Sequence, residues 1–142
     1  MILVTPDLRD RLRANAEARL AALVAEKPEP DPVPVVKFFS PVGAATWLAT
    51  ELAEDGDTLF GLADLGFGTP ELGSFSLSKI ENVRLPFGLA IERDLHFSTH
   101  FGLSVWSAWA RRAGSIIRAE ALLRRASPPG ASPDPSADPG QG

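Results

Sequence analysis

The sequence predicts an α+β fold, an antiparallel β-sheet of about five strands with an N-terminal helix packed on it and a further helix at the C-terminus. Three observations carry this. Apolar residues recur at helical spacing over residues 5–24, the period changes to two from Val33, and helical spacing returns from Leu103. The 142 residues, 44% hydrophobic and 23% charged, have globular composition and room for one core. The expected organisation is an α+β unit over 1–97, an amphipathic helix within 98–126, and a disordered tail over 127–142.

Thr5-Pro6-Asp7 is a helix start: a hydroxyl N-cap, a proline at the first helical position and a carboxylate in the first turn. Leu8, Leu12, Ala16, Leu20 and Leu23 then form one apolar stripe, with Arg9, Arg11, Arg13 and Arg19 elsewhere on the cylinder. KPEPDPVP, with a proline at every second position from Pro28 to Pro34, cannot be helical and reads as a stiff, extended connector.

VPVVKFFS, ATWLATEL, TLFGLAD and ELGSFSLS are short runs rich in β-branched, aromatic and aliphatic residues, separated by turn residues. They read as successive strands of a meander. Asp55-Gly56 joins the second to the third, since glycine takes positive φ without steric cost. Phe38, Trp47, Phe60 and Phe75 are expected in the core.

Ser78 with Glu81 has the spacing of a capping box for a short helix that Pro86 ends. IERDLHF reads as the last strand, at the sheet's edge, with Glu92 and Asp94 on one face and Ile91 and Arg93 on the other. From Leu103, the residues Trp106, Trp109, Ala113, Ile116 and Leu123 share one side of a helix that Gly114 kinks. SPPGASPDPSADPGQG has no large apolar side chain with which to offset the entropy of ordering.

Charge and composition exclude several functions. Without cysteine there are no disulfides, thiolate chemistry or thiolate zinc sites. No window approaches the ~20 apolar residues of a membrane span, and the N-terminus lacks a signal peptide's basic leader, so a cytoplasmic protein is expected. Net charge is −1 over residues 1–32, −5 over 33–97 and +2 over 98–142. The acidic middle repels nucleic acid, which binds through Lys and Arg.

Four glycines, Gly61, Gly66, Gly68 and Gly73, sit close together in FGLADLGFGTPELGSF. Neither phosphate-loop pattern fits, no Lys or Arg lies between Lys37 and Lys79, and Asp64 and Glu71 flank the glycines. The stretch therefore reads as a turn between strands, with Pro70. Ser74, Ser76 and Ser78 lack a nucleophile elbow. His96 and His100 have the spacing of a zinc pair, but in strand context and without the general-base glutamate. No metal or cofactor is expected.

Glu51, Asp64, Glu71, Glu92 and Asp94 lie at or near strand ends, where a sheet could gather them to bind a basic partner surface or, alternatively, to perform acid–base or cation chemistry. Trp106 and Trp109, with Arg111 and Arg112, form a second candidate surface. These tryptophans either pack on the sheet or a second copy, making a homodimer, or belong to a nucleic-acid or membrane-surface helix. Packing is the simpler reading, and neither nucleic acid nor membrane is an expected partner.

VKFFSP, TWLATEL, DTLFGLAD, PELGSFSLSKIENVR and GLAIERDLHF resemble, in sequence and spacing, the bacterial domain of unknown function family 2958, over about residues 2–97. The resemblance implies a small soluble protein carried on plasmids, integrative elements or phages, often among antirestriction and conjugation genes. It implies no established reaction. The function expected is therefore a non-enzymatic accessory protein, acting by protein binding through the acidic sheet region and serving in counter-defence.

Overall fold

The computed structural model describes residues 1–126. The expected disordered tail, 127–142, lies outside the described residues. The first helix, α1, spans Pro6–Val24, and the Thr5 hydroxyl accepts the Leu8 N–H at 3.3 Å, the cap its sequence predicts. Its stripe is only half used. Leu12 and Ala16 are buried, whereas Leu20 and Leu23 are 47% and 69% exposed, because the last turns run past the strand that the helix packs on.

Five strands follow: β1 (Val36–Phe39), β2 (Thr46–Leu52), β3 (Thr58–Asp64), β4 (Glu71–Ser76) and β5 (Glu92–Arg93). All pairs are antiparallel, in the order β4-β3-β2-β1-β5, so a four-strand meander is closed by a short strand returning beside the first. The edge position of the last strand is as expected. Its length is two residues, because Asp94 accepts the His96 N–H at 2.9 Å and turns the chain away. Gly56, Gly66 and Gly68 take positive φ in the last two of the meander's three turns. Gly61 and Gly73, by contrast, face each other within the ladder, where a Cβ on Gly61 would run into the Leu48 carbonyl.

The sheet is covered on both faces. Trp47, Ala49, Leu52 and Leu59 pack with Leu3, Leu12 and Phe38 on the α1 side, while Leu48 and Leu62 point the other way. There they meet two helices, α3 (Leu103–Ala113) and α4 (Ile116–Ala126). A single kinked helix was expected. Gly114, at φ 79°, instead ends α3 with a left-handed cap and starts a separate helix. Trp106 is 2% exposed and donates its indole N–H to the Thr99 hydroxyl at 3.1 Å, so the tryptophan stripe is covered within the chain. Trp109 is half-buried, with the Arg112 guanidinium 5.9 Å from its ring.

The short helix α2, Leu77–Glu81, is capped by Ser76 rather than Ser78: Ser76 Oγ accepts the Lys79 N–H at 3.2 Å. Ser78 already lies inside the first turn, and its N–H donates to Asp57. The capping box with Glu81 therefore does not form, and Asn82 caps the helix before Pro86 is reached.

Candidate functional site: a cleft between the first helix and the sheet

Pairing between β1 and β2 stops at Val36–Ala49, which leaves the end of β2 paired with β3 on one side and without a strand on the other. Side chains of α1 take its place. Asn15 Nδ2 donates to the Thr50 carbonyl at 2.9 Å and Arg13 Nη1 to the Leu52 carbonyl at 2.6 Å. A bulge at the same point inserts Thr50 between Ala49, opposite Gly61, and Glu51, opposite Phe60. The extra residue turns Glu51 onto the face away from Leu52 and Leu59.

Glu51, Phe60 and Ser74 consequently form a cross-strand row over β2, β3 and β4. This row is the floor of a cleft of about 620 Å³, a size typical of binding sites. Its walls are Arg13, Arg19 and Leu20 of α1, Glu29 of the connector, Glu54 and Asp55 of the β2–β3 turn, and Thr58 at the start of β3. Phe60, expected in the core, is 37% exposed because α3 and α4 cover only the other end of that sheet face.

Both arginines of the cleft are committed. Arg19 Nε donates to both Glu51 oxygens, at 2.9 and 3.2 Å, a bond that with the Glu51 charge raises the guanidinium pKa above its ordinary value. Arg13 holds the Leu52 carbonyl and stands 3.6 Å from Glu17. Glu29 adds its charge to that of Glu51 at Arg19, whereas Glu54 and Asp55 form no ion pair among the described residues. Asp55 accepts from the Thr58 hydroxyl and from the N–H groups of Thr58 and Asp57, which hold its pKa at about 2. The neighbouring Asp57 is lowered by the Ser78 N–H and the Ser76 hydroxyl.

Of the five carboxylates singled out in the sequence, Glu51 alone lies in the cleft. Asp64 sits four residues further along β3 from Phe60, ~13 Å at the rise of a strand. It is 1% exposed and accepts the N–H groups of Gly66 and Ile116, both at 2.9 Å, so it ties the β3–β4 turn to α4. Glu71 and Glu92 occupy β4 and β5, the opposite edges of the sheet. Asp94 stands 3.4 Å from Lys37, which also donates to Glu120 of α4 at 2.9 Å. Arg111 and Arg112 are exposed at the end of α3. Among the described residues, no three His, Asp or Glu side chains group as a metal site would need.

Sequence reasoning passed over Arg19, Glu29, Glu54 and Asp55. The turn carboxylates were visible beside Gly56. Arg19 and Glu29 carried no local signal, since their place is set by how α1 and the connector cross the end of β2.

Fold and cleft together define a small three-layer α+β protein with an acidic cleft at the uncovered end of its sheet. The chain belongs to the family of proteins of unknown function DUF2958, whose sequence model matches residues 3–117. The match runs past residue 97, where the resemblance in the sequence was placed, through α3 and into α4. No curated protein and no solved structure matches the chain.

Proposed function

We propose that this chain is a non-enzymatic accessory protein of a mobile genetic element, acting in the cytoplasm in counter-defence, and that it binds a partner protein by receiving basic side chains in the cleft between α1 and the β2–β3 turn. The observation that carries the binding reading is the charge left over there. Arg13 and Arg19 are bonded within the fold, and although Glu29 adds to the charge around Arg19 and the Arg9 guanidinium stands beside Gly56, Glu54 and Asp55 form no ion pair among the described residues. The surrounding residues 33–97 hold nine carboxylates against four Lys and Arg, and none of those four lies between Lys37 and Lys79. Among the described residues no helix is long and apolar enough to cross a membrane. The mobile-element setting rests on the family resemblance and is tested by the neighbouring genes.

The binding is tested with a partner captured from the native host, by association kinetics at roughly 50 mM and 500 mM salt, conditions of weak and strong screening. Glu29→Gln/Glu54→Gln should slow association and remove most of its salt dependence. Salt-independent binding that the double variant leaves unchanged sinks the acidic-cleft reading. A small molecule or metal ion that co-purifies with the chain and is lost in the variant moves the cleft to the ligand-binding alternative.

A further inference from the structure

The two edges of the sheet are treated differently. At one, β5 is two residues long, and the N-terminus lies against it: the Arg93 N–H reaches Met1 Sδ at 3.2 Å, and its guanidinium donates to the carbonyls of Ile2 and Leu3. At the other, β4 runs for six residues, and among the described residues no strand pairs with its outer side. Proteins blunt exposed edges with lysine, proline, bulges or short strands. Glu71–Ser76 carries one charge, Glu71, at its first residue after Pro70, but no lysine, internal proline or bulge, and its register with β3 is unbroken.

The direction of its free backbone groups follows from one bond. The Leu77 N–H donates to the Asp57 carbonyl at 2.9 Å, and hydrogen-bonding pairs alternate along an antiparallel ladder. Glu71, Gly73 and Phe75 therefore bond to β3, and Leu72 and Ser74 present their N–H and C=O groups outward. Ser74 is also the last residue of the Glu51–Phe60–Ser74 row. A strand added beside it would extend that row and set alternate side chains on the cleft's face.

We propose that β4 is a strand-addition site, and that its occupant is an extended segment of a partner protein with Lys or Arg at the alternate positions facing Glu54, Asp55 and Glu29. Main-chain pairing along Leu72 and Ser74 supplies the affinity, and the cleft's carboxylates select the basic sequence. This rests on the acidic-cleft reading and adds the conformation of the bound partner to it.

The test uses the full chain and three synthetic ten-residue peptides: one alternating Lys with Val and Thr, its counterpart with Glu for Lys, and the Lys peptide with alternate amides N-methylated. The Lys peptide should bind and slow exchange of the Leu72 and Ser74 amides on the order of tenfold or more, while N-methylation, which keeps the charge, should weaken binding by a similar factor. Equal binding of the N-methylated peptide overturns strand addition and leaves the charge reading standing. Equal binding of the Glu peptide, or no binding by any of them, also overturns the proposal, and Glu29→Gln/Glu54→Gln against the captured partner then decides the cleft separately. Self-association with the same amide protection in the absence of peptide overturns it in favour of a second copy.

Discussion

Asp31 caps α3 through Ser104, the second residue of that helix and 73 residues further along the chain. One carboxylate oxygen accepts the Ser104 N–H at 2.9 Å and the other its hydroxyl at 2.5 Å, while the Leu103 N–H donates to the Pro32 carbonyl at 2.9 Å. The residue at the N-cap position of α3 is Gly102, which has no side chain to do this, and a Cβ there would collide with Asp31. The proline-rich connector is thus the N-terminal cap of α3. Asp31→Ala should cost about 1 kcal/mol, a fall of a few degrees in Tm by thermal unfolding, as for loss of an N-cap.

Asp64 was a candidate docking residue, and its surroundings make it a structural one. Asp64→Ala removes the acceptor of two N–H groups, one of them at the start of α4, and should cost about 1–3 kcal/mol in denaturant unfolding. Binding per folded molecule should be unchanged. A stable Asp64→Ala protein with lost binding would return the residue to the docking surface.

The two tryptophans of α3 should differ. Trp106→Ala empties a buried position and should cost about 3–5 kcal/mol, while Trp109→Ala, at a half-buried position, should cost less. Urea unfolding measures both. Equal and small losses would show that the stripe is not the inner surface of the third layer.

Acid should weaken the β2–β3 turn. Asp55 is held at about 2 by three hydrogen bonds, against an ordinary value of 3.8. A depressed folded-state pKa contributes stability that is fully present above the unfolded value and is lost as pH falls through the folded one. Tm should therefore decline from about pH 4 towards pH 2, and Asp55→Asn should reduce that decline. The Asp55 carboxyl titration, followed by NMR, checks the value directly.

What could be read from the sequence was what adjacent residues decide. Thr5-Pro6-Asp7 starts its helix, Asp55-Gly56 makes its turn, and the period-two runs become strands in meander order. What could not be read depends on partners distant in sequence. Glu51 and Asp64 look like solvated strand-end carboxylates until Arg19 and the Ile116 N–H, 32 and 52 residues away, are brought to them. Leu20 belongs to a faultless helical stripe, and its exposure follows from where the strand beneath it ends. In TWLATEL, Leu48 between Trp47 and Ala49 breaks strict alternation, but a run of three apolar residues is too short to show that both faces of the strand are covered. Gly114 was legible as an irregularity; that its positive φ divides one helix into two is a matter of backbone geometry.

The bulge at Thr50 gives the cleft an evolutionary tolerance of length. Because of that one extra residue, Ala49 and Leu52 both reach the core beside α1 while Glu51 stands in the cleft. Loss of the Thr50 codon would leave Ala49 opposite Gly61, Glu51 opposite Phe60 and Leu52 opposite Leu59 in an unbroken ladder, so the carboxylate and the leucine would keep their faces and only the local twist of the bulge would be lost. A lineage can drift in the charges around the rim one substitution at a time. At this point in the strand it can also lose a residue without exchanging the two faces, so the order of Glu51 and Leu52, rather than the spacing from Trp47 to Leu52, is the quantity to compare between relatives.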